Sequence, residues 1–133
     1  MKRRVTLVIA ACAVVATGLF VHALDGEVAA FVSDSLYTVL VYLILRMVFV
    51  RARLVWPALA AFAFSAMIEV LQLSGLPEQW GNAFPPARLV LGASFSAMDL
   101  VAYALGALVI GLADLVVLRT VESRASRSAR PPA

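Results

Sequence analysis

Four apolar runs, each close to the length that crosses a bilayer, constrain this chain more than any other feature. They are VTLVIAACAVVATGLFVHAL (5–24), DSLYTVLVYLILRMVFV (34–50), LVWPALAAFAFSAMIEVLQL (54–73) and AMDLVAYALGALVIGLADLVVL (97–118). Lipid offers no water to backbone N–H and C=O groups, so such runs must close their hydrogen bonds internally, as helices. The sequence therefore predicts an all-α membrane protein, a four-transmembrane-helix bundle occupying residues 1–118. Of the 133 residues, 63% are hydrophobic and 14% charged, against about 45–50% and about 25% in an ordinary soluble domain. That balance leaves no room for a separate soluble domain. The first run resembles a secretory leader at Val21-His22-Ala23, but its apolar core exceeds the about 7–15 residues of a leader. It is read as a retained helix. The single cysteine, Cys12, lies inside this run, so no internal disulfide is available.

The charges set an orientation. Eleven basic residues outnumber eight acidic ones, and the basic residues flank the apolar runs. This is the pattern of membrane topology, not of a groove that follows nucleic-acid phosphates. Lys2, Arg3, Arg4, Arg51, Arg53, Arg119, Arg124, Arg127 and Arg130 fall on one side of a four-helix serpentine. Asp25, Glu27, Asp34 and a long loop with only Arg88 fall on the other. The positive-inside rule then places both termini in the cytoplasm of a bacterial inner membrane, with a long outer loop between helices 3 and 4. Pro77, Gly81, Pro85 and Pro86 are expected to break the first half of that loop. Its apolar second half, 89–95, is too short to span and is expected at the interface or dipping back into the bundle. Residues 119–133 read as a basic, disordered cytoplasmic tail. Trp56 and Trp80 suit the two interfacial belts.

The informative residues are the polar ones inside the runs. Glu69 and Gln72 fall near the outer end of helix 3, Asp99 in the first turn of helix 4, Asp34 at the start of helix 2 and His22 at the end of helix 1. A rise of about 1.5 Å per residue brings them to one level, and Arg88 is the only outer cation able to meet them. Spacing groups them further. Asp34, Thr38, Tyr42 and Arg46 share a stripe, as do Ser65, Glu69 and Gln72, and Asp99, Tyr103, Gly106 and Asp114. Ionisable residues in membrane helices turn towards one another, because exposure to lipid costs several kcal/mol. The stripes are therefore expected to face inward. Near the other end, Arg46 either pairs with Asp114 or extends to the cytoplasmic surface.

These residues also carry a resemblance. Glu69-Val-Leu-Gln72, then Arg88, Leu91-Gly92, Phe95-Ser96, and Asp99-Leu-Val-Ala-Tyr103 with Gly106 resemble the E-x-x-Q … R … D-x-x-x-(N/Y)-x-x-G pattern of VanZ-like bacterial membrane proteins. The chain is similar, more closely still, to a related bacterial family of unknown function, whose Asp-x-Leu-Tyr motif reads here Asp34-Ser35-Leu36-Tyr37. Tyr103 stands where VanZ proteins usually have Asn, and Tyr37 where they usually have His. The resemblance implies a four-helix membrane fold and, on the VanZ side, a link to low-level glycopeptide tolerance, but no reaction.

Three function classes follow. In the first, Asp34, Tyr37, Glu69, Gln72, Arg88, Asp99 and Tyr103 form an outward-facing pocket for a lipid head group or glycan-type envelope precursor. In the second, the same residues only hold the bundle together, with Asp99 capping helix 4, Gln72 satisfying the loop backbone and Glu69 paired with Arg88. The third is a membrane enzyme or proton-coupled transporter. Two carboxylates and His22 could do acid–base work, but no nucleophile or metal-ligand motif accompanies them, so no catalytic residue, metal or cofactor is assigned. The expected partners are the bilayer and a second copy of the chain, with no nucleic acid.

Overall fold

The computed structural model describes residues 2–92 and 94–128. Among them are six helices and no strand: α1 (Lys2–His22), α2 (Glu27–Val48), α3 (Val55–Gln72), α4 (Leu76–Ala83), α5 (Pro85–Leu91) and α6 (Ala97–Ser128). Four of these, α1, α2, α3 and α6, are long and apolar enough to cross a membrane, so the chain is a multi-pass membrane protein.

Three boundaries differ from the sequence expectation. Helix α2 begins at Glu27 rather than at Asp34. Gly26, at φ 119°, supplies the turn after α1, and nothing from Val28 to Ser33 interrupts a helix once it has started. Asp34 consequently lies seven residues inside α2, about 10 Å from its start. In the long connection the prolines start helices instead of breaking them. Pro77 lies in the first turn of α4, and Pro85-Pro86 opens α5, where a missing N–H leaves no bond unmade. Finally, α6 continues past Leu118 to Ser128 through Arg, Glu and Ala, all good helix formers. The first ten residues of the expected tail are thus helical, and 129–133 lie outside the described residues. At 32 residues, α6 is about 48 Å long, well beyond the about 30 Å of a hydrocarbon core.

Helix α2 is the centre of the bundle. It packs against α1, α3 and α6, α3 and α6 pack against each other, and among the described residues α1 packs chiefly against α2. The approach of α6 to α2 depends on Gly106, where an added Cβ would run into the Ser35 carbonyl. Burial is inverted relative to a soluble protein. Arg46, Tyr42, Glu69, Thr38 and Ser65 are among the largest fully buried side chains, while Phe64, Val70, Leu108 and Val116 face outward. Lipid is as apolar as leucine, so burying leucine gains little; the polar side chains are what must be enclosed.

Candidate functional site

The inward-facing stripes meet as their spacing predicted. Midway along the bundle, the Thr38 hydroxyl of α2 donates to the Ser65 hydroxyl of α3 at 3.0 Å. Towards the chain termini, Asp114 of α6 collects three donors. Arg46 Nε reaches its Oδ2 at 2.7 Å and the Tyr42 hydroxyl reaches the same oxygen at 2.8 Å. Arg3 approaches Oδ1 at 3.5 Å. The remaining reach of Arg46 goes to the α2–α3 loop, where Nη1 donates to the carbonyls of Phe49, Val50 and Ala52 at 3.4, 3.3 and 3.1 Å. Of the two fates expected for Arg46, pairing with Asp114 is the one observed. The guanidinium thereby ties the loop after α2 to the side of Asp114.

The opposite end of the bundle is built around the C-terminal turn of α3. Glu69 is fully buried and both of its oxygens are used. Oε1 accepts from the Ser96 N–H and Oε2 from the Tyr103 hydroxyl at 3.1 Å. Glu69 thereby joins α3 to the segment that leads into α6 and to α6 itself. The Glu69–Arg88 pair of the structural alternative is not among the bonds of the described residues: Glu69 meets Ser96 and Tyr103, and Arg88 lines the neighbouring cavity. Gln72, one helical turn further on, donates Nε2 to the Leu91 carbonyl at 2.8 Å and so holds the end of α5. Gly92 follows at φ 66°, and a Cβ there would collide with Nε2 of Gln72. This gives the Leu91-Gly92 element of the motif a physical reason: only glycine accepts both the backbone angle and the amide behind it.

Beside this scaffold lies a cavity of about 300 Å³ between α1, α2 and the α5 end. Asp34, Tyr37, Gln72, Arg88, Asp99 and Tyr103 line it, which is every residue of the expected pocket except Glu69. His22 reaches the same space from α1. The Tyr37 and Tyr103 rings face each other obliquely, 6.4 Å between centroids and 52° between planes. Asp99 lines the cavity, as the pocket reading has it; the cap that the structural alternative assigns to it is not among the side-chain hydrogen bonds of the described residues. Among the described residues, no hydrogen bond or ion pair engages the side chains of Asp34, Arg88 or Asp99. From the apolar second half of the long connection, Leu89, Val90 and Leu91 line the cavity, and Leu89 and Val90 stay more than half exposed.

Sequence reasoning missed the apolar wall. Val14, Val15, Leu40 and Ile68 line the lower part of the cavity, and in the sequence they are indistinguishable from their lipid-facing neighbours. It also missed Ser96, whose contribution is a backbone N–H and carries no side-chain signature.

A four-span bundle enclosing a polar interior, with one end fully bonded and the other open as a cavity, is a small multi-pass membrane protein with a candidate ligand site. The chain belongs to the family described as Protein of unknown function (DUF2809), which it matches over residues 23–107. The match covers α2 to α5 and the first third of α6; α1, which supplies one wall of the cavity, lies before it. No VanZ family match accompanies it. No curated protein matches the chain, and no solved structure does.

Proposed function

We propose that the cavity receives the head group of an envelope lipid and that the protein sits in a bacterial cytoplasmic membrane with the cavity facing outward. The observation that carries this reading is the gradient of polarity within the cavity. Asp34, Arg88 and Asp99 surround its polar part, whereas Val14, Leu40 and Ile68 line a part that continues down the helices. Val14 precedes His22 by eight residues, about 12 Å along α1. A soluble solute gains nothing from such a slot, while an acyl chain fills it. The excess of Lys and Arg at the terminal end supports the outward orientation. No reaction is assigned to the site. Glu69 belongs to its frame, since it holds the Ser96 segment and Tyr103 and does not line the cavity.

Lipid analysis of the purified protein tests this. Wild type extracted in mild detergent is expected to carry a bound lipid that Asp34→Asn and Asp99→Asn reduce, with the thermal unfolding of the three proteins alike once they are stripped of lipid. Equal lipid content in all three proteins would remove the cavity from consideration as the site.

A further inference from the structure

At the terminal end of the bundle Asp114 and Arg46 close the polar interior, but the outer edge of that end is not closed. A second cavity, of about 530 Å³, lies there between the start of α1 and the loop that follows α2. Arg3, Arg4 and Arg51 line it together with Val48, Phe49 and Val50. We propose that this cavity binds the phosphodiester of an anionic phospholipid from the leaflet on the side of the chain termini, at a site separate from the cavity around Asp34.

The first support is charge. No carboxylate lines the cavity, and among the described residues the side chains of Arg4 and Arg51 engage in no hydrogen bond or ion pair. Arg3 reaches Asp114 only at 3.5 Å, and Arg46 already matches the charge of that carboxylate at 2.7 Å. Three guanidinium groups from two distant stretches of chain thus converge on one space without an anion of their own. Guanidinium groups offer paired N–H donors to phosphate oxygens. A phosphate between them replaces mutual repulsion with attraction, whereas the ammonium of a zwitterionic head group would be repelled.

The second support is depth, which is independent of charge. The apolar span of α1 begins at Arg3 and that of α2 ends at Val48. Both limits fall on the cavity wall, so the cavity sits where hydrocarbon gives way to head groups, the level of the lipid phosphates. Val48 and Phe49 line it and are more than half exposed. A free anion gains nothing from these side chains, while the glycerol and first methylenes of a lipid can lie against them.

The third support is fixed shape. Arg46 binds the carbonyls of Phe49, Val50 and Ala52 from inside the bundle. Three oxygens that would repel an anion are thereby drawn away from the cavity, and the backbone carrying Arg51 is held in place before a ligand arrives.

The test uses the full chain in vesicles of phosphatidylglycerol, phosphatidylethanolamine and phosphatidylcholine in equal amounts with identical acyl chains, followed by native mass spectrometry. Wild type is expected to retain phosphatidylglycerol about tenfold over phosphatidylcholine, the scale of a guanidinium or two meeting an anionic lipid. Arg4→Gln with Arg51→Gln is expected to lose that preference. Arg119→Gln with Arg124→Gln removes the same charge from exposed positions of α6 at the same end and is expected to keep it. Equal retention of the three lipids by wild type, or a preference that survives Arg4→Gln with Arg51→Gln, would overturn the site. Equal loss in the two double variants would replace it with a diffuse positive surface. Asp34→Asn with Asp99→Asn is expected to leave the preference in place; its loss there would assign the retained lipid to the other cavity. Glycerol 3-phosphate at matched concentration is expected to leave the adduct intact, and displacement would make a free phosphate the ligand. Should the first double variant not fold, Arg51→Gln alone is read against Arg119→Gln.

Discussion

At one end of the bundle Asp114 takes hydrogen bonds from Arg46 and Tyr42, and three loop carbonyls take the other donor of the same guanidinium. At the other end Asp34, Arg88 and Asp99 share a cavity and bond to no described residue, beside a glutamine with an orphaned oxygen. Both ends use carboxylate, arginine and tyrosine, and both draw on α2 and α6. Residue type therefore does not separate structure from function in a membrane bundle. The state of the hydrogen bonds does. Groups that have found protein partners hold the helices together, and groups left facing a cavity are disposed to meet something else.

The sharpest way to break this contrast is to remove Asp114. Arg46 is 1% exposed, so Asp114→Ala leaves a buried cation without its counter-charge, a loss expected at about 3–5 kcal/mol. Reversible unfolding of the detergent-solubilised protein measures it, and a change below about 1 kcal/mol would deny the terminal end its structural role. The opposite sign is expected at the cavity. Asp34→Asn or Asp99→Asn removes repulsion and breaks no protein hydrogen bond, so the stability of the lipid-free protein should be unchanged or raised by up to about 1 kcal/mol. A loss of more than about 2 kcal/mol in either variant would make the cavity residues part of the frame. The smallest effect is expected from Arg3→Ala. Arg3 is 38% exposed and meets Asp114 at 3.5 Å, and such pairs contribute about 0–1 kcal/mol. A larger loss would extend the bonded network out to the first turn of α1.

Much of this was legible in the sequence. The four spans follow from the apolar runs, and the fourfold spacing of Asp34, Thr38, Tyr42 and Arg46 placed them on the inward face of α2. Gathering Asp34, Gln72, Arg88 and Asp99 needed only a topology and a helical rise. What stayed hidden was the choice among partners. Glu69 could have met Arg88, but the Ser96 backbone and the Tyr103 hydroxyl take it instead. That depends on how the chain folds back after α5, which periodicity does not encode. The depth of Asp34 was misjudged for a simpler reason: the first two turns of α2 are helical although they precede the long apolar run. Prolines misled in the long connection, since the same residue that ends one helix can open the next.

The bond between Arg46 and Asp114 also bears on how the protein is made. The two residues are 68 positions apart, which a ribosome covers in roughly 3–14 seconds at about 5–20 residues per second. During that interval α1, α2 and α3 can already be in the bilayer while Arg46 still waits for its carboxylate, with only the loop carbonyls of Phe49, Val50 and Ala52 to receive its guanidinium. The pairing closes when the last helix arrives. A nascent chain truncated before Asp114 would thus hold a buried arginine without its counter-charge near the end of α2.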